Sequence, residues 1–326
     1  MNNETTVKPM TFKLFLEFIR LNAKTASAIP FILGLLYSIY YFQSVDWLNS
    51  LIYFIAQMAI AFFVTGFNNV QDYKLAVDQH YRDTYNIIGR EHLSPRRALN
   101  LMLAFLVVAC GLGLILVWRT NLLLLFMGGA GIFVTIFYTF GPIPFSRFPL
   151  GELLSGVAEG FGVFFITIYV NVAPERLLGL FFDWPRFMIN GNLLTLIILV
   201  LVGLPNIFTV ANVMFADNMS DLPQDIRNQR YTLPYYLGIK RALWLYDALL
   251  YLCFASVTVS AILRLLPPES LLVWLVLPQI RKNSRIFHRE QIKETTFETA
   301  IQNLMLFQGV QILALVVAIL RTQVFG

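Results

Sequence analysis

Residues 187–216 read FMINGNLLTLIILVLVGLPNIFTVANVMFA, without one Asp, Glu, Lys or Arg, and residues 217–225, DNMSDLPQD, then place three acids in a single short segment. A spanning helix needs about 20 apolar residues, so the first stretch reads as a membrane crossing and the second as a charged cluster at its end. Further uncharged runs of spanning length lie on either side, at 25–45, 47–71, 98–118, 120–146 and 300–320. Two more, 151–172 and 242–263, are long enough but carry Glu152 and Glu159 in the first and Asp247 in the second. Acids at that depth are costly and call for partners. Residues 270–280, after Pro267, Pro268 and Glu269, form a ninth and shorter candidate.

Composition agrees. Only 13% of the 326 residues are charged, half of the roughly 25% usual in soluble domains. A water-soluble globule lacks the polar surface it would need, and the 57% hydrophobic content excludes disorder. The lipid bilayer is the expected surroundings. Lys and Arg in short loops stay on the cytoplasmic side. Nine spans with the N-terminus inside leave only Arg119, Arg176, Arg186, Arg264 and Arg321, of the 24 basic residues, outside. Eight spans would export the cluster Arg281, Lys282, Arg285, Arg289 and Lys293. The expected fold is therefore all-α: a polytopic protein of the cell membrane, with nine transmembrane helices around a central cavity, a cytoplasmic N-terminus and one domain over 1–326. The first apolar run follows a polar stretch and lacks a small-residue cleavage site, so it is expected to be retained. The net charge of +5 then reflects topology, and no basic stripe on a soluble face points to nucleic acid. Cys110 and Cys253 sit inside apolar runs as small hydrophobes. His80, His92 and His288 have no partners at ligand spacing and read as solvated loop residues.

Two acidic clusters follow even-numbered spans, a coarse two-fold echo. In the first, Asn68 and Asp72 share a helix face at 100° per residue, whereas Asp78 joins them only if the helix ends or bends first. In the second, Asp217, Asp221 and Asp225 fan over one face, with Pro223 expected to kink or start a helical turn. Like charges at i, i+4 destabilise a helix by a few tenths of a kcal/mol per pair, so cations should compensate. Hard oxygen ligands without His or Cys suit Mg²⁺, which takes one or two carboxylates and fills its octahedron with water and substrate phosphates. Two such clusters face to face would hold a diphosphate, and the membrane setting would give its substrate a long apolar tail.

At these residues the chain resembles the UbiA superfamily of intramembrane aromatic prenyltransferases, which has an Asn-led Asp motif after the second span and Asp-x-x-x-Asp after the sixth. Here these are Asn68, Asp72 and Asp78, and Asp221 with Asp225. The six-residue gap from Asp72 to Asp78 resembles the 1,4-dihydroxy-2-naphthoate branch. So do Ala23-Lys24-Thr25 before the segment Ile29 to Gly34, Arg90 to Pro95, Tyr138 to Pro144 followed by Gly151-Glu152, and Tyr231 to Pro234 followed by Gly238. Two departures stand out. Asp217-Asn218-Met219-Ser220-Asp221 replaces the usual Asn-Asn-x-Arg-Asp, and Gln229-Arg230-Tyr231-Thr232 replaces Gly-Lys-Arg-Thr, which removes one basic residue of a pair.

The resemblance implies transfer of a polyprenyl chain from polyprenyl diphosphate to 1,4-dihydroxy-2-naphthoate, with Mg²⁺ assisting ionisation and the active site toward the cytoplasm. Another acceptor of the same class, 4-hydroxybenzoate or homogentisate, is the nearest rival; a transporter would instead place acids at mid-membrane on broken helices. Asp72, Asp78, Asp221 and Asp225 are assigned to metal, with Asn68 and Asp217 on the metal or its waters. Lys74, Arg82, Arg90 and Arg230 are candidates for the diphosphate. Tyr138 is the candidate for shielding the allylic cation with its aromatic face. Lys24 is a candidate for steering the acidic acceptor. Glu152, with Lys24 a candidate for the acceptor, lies seven residues before Glu159 on the same helix face, and both are expected to line the interior.

Overall fold

A computed structural model describes residues 8–141 and 144–325, apart from the side chains of 22–26 and 325. The helices are α1 (Phe12–Phe18), α2 (Leu21–Tyr37), α3 (Trp47–Leu75), α4 (Ile87–Arg90), α5 (Pro95–Arg119), α6 (Leu123–Thr139), α7 (Gly151–Ser155), α8 (Val163–Tyr169), α9 (Leu193–Arg227), α10 (Leu233–Leu237), α11 (Ile239–Ile262), α12 (Leu277–Arg289) and α13 (Glu298–Phe325). Six helical stretches are long and apolar enough to cross a membrane: Trp47–Leu75, Pro95–Arg119, Gly151–Tyr169, Leu193–Arg227, Ile239–Ile262 and Glu298–Val324. Two shorter apolar ones, Ser27–Phe42 and Leu123–Thr139, accompany them among the described residues. The ninth candidate is not one α-helix. A 3-10 run, Pro268–Val276, leads into α12, and Pro278 lacks the N–H that would bond Trp274 O in one continuous α-helix.

Their starts are chemically legible. The Asp46 carboxylate accepts from Asn49 N at the start of α3 (2.9 Å), and Ser94 caps α5 with Pro95 in its first turn. α9 is the longest at 35 residues, about 50 Å at 1.5 Å per residue, against a hydrocarbon core of about 30 Å. Its excess carries Asp217 to Asp225 beyond the apolar part. The helix continues through Pro223 without ending.

The all-α expectation is corrected by an antiparallel hairpin, β1 (Leu178–Asp183) and β2 (Arg186–Gly191), in register from Leu178 opposite Gly191 to Asp183 opposite Arg186. The run 187–216 therefore begins in β2. The helix starts only at Leu193, where the Asn192 side chain accepts from Thr195 N at 3.0 Å. Hydropathy does not distinguish an apolar strand from the first turns of a helix, and the Asn cap is what decides the boundary.

α3 packs on α5, α9 on α11, α2 on α8, and α13 on α2 and the 3-10 run. Between α7 and α8 the backbone widens into a π segment, Gly156–Gly162, that lies against α9. A Cβ on Gly160 would lie 2.5 Å from Asn206 O, and one on Gly156 2.7 Å from Ile207 O, so this close approach requires glycine. A large core fills the centre, including Tyr37, Phe164, Tyr169, Phe254 and Val257. Two smaller cores support the acidic helix ends: Phe18, Phe63, Phe67, Ile88 and Met102 under the first, and Phe215, Met219, Tyr246 and Phe287 under the second. Asp247 has partners after all. Ser284 Oγ donates to it at 2.6 Å and His288 Nε2 lies 3.1 Å away, which places His288 in the last turn of α12 and not in a solvated loop.

Candidate active site

The last turns of α3 deliver Asn68 and Asp72 on one face, as the 100° repeat requires. Asn68 Nδ2 donates to Asp72 Oδ2 (3.0 Å), and Thr139 Oγ1 at the end of α6 donates to Asn68 Oδ1 (3.2 Å). Neighbouring Asn69 is turned away and donates to Phe18 O at 2.7 Å. The helix then stops at Leu75, and Asp78 lies in the loop beyond.

On α9, Asp217 and Asp221 present their carboxylates to the same side, and Lys293, from the loop between α12 and α13, donates to both. The bond to Asp221 is 2.6 Å long. Burial alone would pull the Lys293 ammonium below its usual value, but Asp217 and Asp221 outweigh that and hold it above. Asn218, one residue along, is buried and donates to Glu152 at 2.7 Å. Asp225 is also buried, 3.3 Å from Arg230. For Arg230 burial opposes the charge, but Asp225 and Asp72 overcome it and raise the guanidinium above its ordinary value.

These groups meet in a cavity of about 1100 Å³. Its polar end is lined by Asn68, Asp72, Asp217, Asp221, Arg230 and Lys293, together with Arg20, Tyr81 and Tyr138. The rest is predominantly apolar, with Ile60, Leu116, Met127, Phe165, Val210 and Leu304 among its walls. Tyr138 is in the last turn of α6, its hydroxyl 3.6 Å from Met214 Sδ. Asn228 joins the two halves, its Oδ1 accepting from Val77 N and Asp78 N, each at 3.2 Å.

Several expected residues fall outside that lining. Asp78 caps the next turn, accepting from His80 N at 2.9 Å, and lies 3.8 Å from Arg227. Lys74 is exposed. Arg82 pairs with Asp83 at 2.9 Å, and Arg90 with Glu17 and Glu91, at the protein surface; each cation has an acid beside it in space and so turns away from the cavity. Asp225 is withdrawn behind Arg230. Glu152 does not face the cavity, whereas Glu159 does and accepts from Ser27 Oγ at 3.4 Å. The π segment widens the helix between the two glutamates and takes them off a common face. The side chain of Lys24, and Pro142 and Ile143 of the quoted loop, lie outside what the structure describes. Conversely, Arg20, Tyr81 and Lys293 line the cavity although nothing local sets them apart from ordinary loop charges and aromatics. Lys293 is 72 positions from Asp221.

The donors suit a hard divalent cation. Among the described residues no three or more of His, Cys, Asp and Glu are gathered so as to hold a metal by themselves, which leaves one or two carboxylates per ion and coordination to be completed by water and phosphate, the habit of Mg²⁺. Arg230 Nε and Asp225 Oδ2 are buried without hydrogen-bond partners. An unpaired guanidinium donor at the polar end is what an incoming diphosphate oxygen would satisfy.

The model of the UbiA prenyltransferase family matches residues 27–295. The 1,4-dihydroxy-2-naphthoate octaprenyltransferase of Bacillus subtilis (strain 168) is 26% identical over 266 residues, covering 81% of this chain and 78% of that protein. Among solved structures, a UbiA homologue from Archaeoglobus fulgidus bound to GPP and Mg²⁺ superposes with a TM-score of 0.63 at 13% identity, over 94% of this chain and 99% of that one. The apo structure of a UbiA homologue from Aeropyrum pernix K1 gives 0.66 at 16% identity, over 89% and 98%.

Proposed function

The chain belongs to the UbiA prenyltransferase family, and from that premise we propose that it transfers a polyprenyl chain from polyprenyl diphosphate to 1,4-dihydroxy-2-naphthoate. The observation that carries this reading is one cavity with two unlike ends, a polar one where both acidic motifs meet basic side chains and an apolar one that can take an isoprenoid.

Asn68, Asp72, Asp217 and Asp221 would hold Mg²⁺, directly or through water. When bound, Mg²⁺ supplies Lewis-acid neutralisation of the charge that develops on the leaving diphosphate. Arg230 and Arg20 bind the diphosphate oxygens, Arg230 with a donor already desolvated and unpaired. Asp225 keeps the Arg230 fork in place. Asp78 acts one step back, fixing the loop that Asn228 ties to the end of α9. The apolar walls keep water from the allylic cation, and the Tyr138 ring offers it a π face. The naphthol ring then attacks C1 of the prenyl chain, and the new carbon–carbon bond forms as the ring loses its carboxyl group as CO₂. Lys24, at the head of α2, is proposed to steer that acceptor.

The same reading includes one transmembrane domain with nine crossings, a cytoplasmic N-terminus and a site facing the cytoplasm of the cell membrane. The apolar 3-10 run and the first turn of α12 are the stretch proposed for the ninth crossing, with Arg281, Lys282, Arg285 and Arg289 of α12 at its cytoplasmic end. The test is turnover by purified protein with one prenyl diphosphate and, in parallel, 1,4-dihydroxy-2-naphthoate, 4-hydroxybenzoate and homogentisate. Prenylation of the naphthoate is the expected result; its absence alongside turnover of another acceptor would move the enzyme to that substrate.

A further inference from the structure

Lys293 is anchored so as to reach the second acidic pair. The turn that carries it is held by Thr296, whose Oγ1 donates to Glu290 O (2.7 Å) and accepts from Ile292 N (2.8 Å). From this support its ammonium bonds Asp217 and Asp221 together and lies 4.9 Å above the Phe297 ring. Only about a quarter of each of the three charged side chains is exposed. The same two carboxylates are the ones assigned to metal above, and the bridging ammonium holds one oxygen of each, Asp217 Oδ1 and Asp221 Oδ2, for which a cation would compete.

We propose that Lys293 is a tethered counter-ion that occupies the Asp217–Asp221 pair when metal is absent and swings onto the diphosphate when metal and substrate load together. The inference rests on the metal reading of the site and adds a rule to it. Metal alone must displace an ammonium from two carboxylates and strand that ammonium in a half-buried place beside Arg20. Metal with diphosphate gives the ammonium a new anion within reach of its four-carbon stem, so the two ligands bind cooperatively. The backbone turn need not move.

The experiment measures Mn²⁺ binding by electron paramagnetic resonance on the purified full-length protein, with and without inorganic diphosphate, so it does not depend on turnover. The wild type should bind Mn²⁺ weakly alone and more tightly with diphosphate. K293M should bind Mn²⁺ alone at least about fivefold more tightly than the wild type, the lower end of typical coupling between two ligands, and gain less from diphosphate. K293R, which keeps the cation, should behave as the wild type. If K293M does not fold without metal, K293Q, which still donates a hydrogen bond to one carboxylate, carries the same expectation. Equal Mn²⁺ affinity in the wild type and the neutral variants, with binding lost in D221N, would overturn this inference and leave the metal site standing. Absence of Mn²⁺ binding in all of them would overturn the metal reading and the inference with it.

Discussion

At the scale of single residues the site is a balance of buried charge. Asp72→Asn and Asp221→Asn keep shape and remove a carboxylate aimed at the polar end, and each should lower prenyl transfer about 10² to 10³-fold, the usual cost of deleting one preorganised electrostatic group. Steady-state turnover checks this, with full activity in either variant contradicting the assignment. Arg230 and Asp225 form an enclosed ion pair beside the cavity, at 3.3 Å with side chains 17% and 6% exposed. Breaking such a pair from one side costs about 3–5 kcal/mol because the survivor stays buried and unpaired. Arg230→Met should therefore lower the melting temperature, and adding Asp225→Asn should recover part of the loss. A double mutant no more stable than Arg230→Met would mean that the pair is not the cause.

At the scale of elements, the contact between the π segment and α9 sets where the second motif sits. Gly160→Val would push a side chain into the Asn206 carbonyl, and overpacking of this kind costs about 1–3 kcal/mol. Gly129 faces open space, so Gly129→Val should be neutral within about 0.5 kcal/mol. Thermal unfolding of the two variants in the same detergent separates a packing requirement from a general intolerance of larger residues. The widened segment also turns the two glutamates to different sides of the interior: Glu159 faces the cavity, and Glu152, buried as the seven-residue spacing expected, accepts from Asn218.

At the scale of the whole molecule, orientation and ligand coupling are the measurable consequences. In a protein with Cys110 and Cys253 replaced by alanine, Arg186→Cys on the hairpin should react with a membrane-impermeant maleimide in intact cells, and Arg82→Cys only after permeabilisation. The reverse pattern would invert the proposed topology. Chelation by EDTA should abolish turnover, and added Mg²⁺ should restore it. Mg²⁺ with diphosphate should also raise the melting temperature, as a ligand of the native state alone must.

The sequence by itself determined the membrane class, most of the helical runs and the two motifs, because a long uncharged run and an i, i+4 acid pair are local patterns that the helix repeat converts directly into a face. It therefore announced Asn68, Asp72, Asp217 and Asp221, to which charge and the family resemblance added Arg230 and Tyr138; all six line one cavity, whereas Asp78 and Asp225 of the same motifs do not. Only tertiary structure decided which cations join them. Arg82 and Arg90 meet acids at the surface, while Arg20 and Lys293 reach the cavity from elements far away in the chain. A long basic side chain goes to whichever carboxylate the packing of helices brings within a few ångströms, and no repeat along the chain encodes that distance.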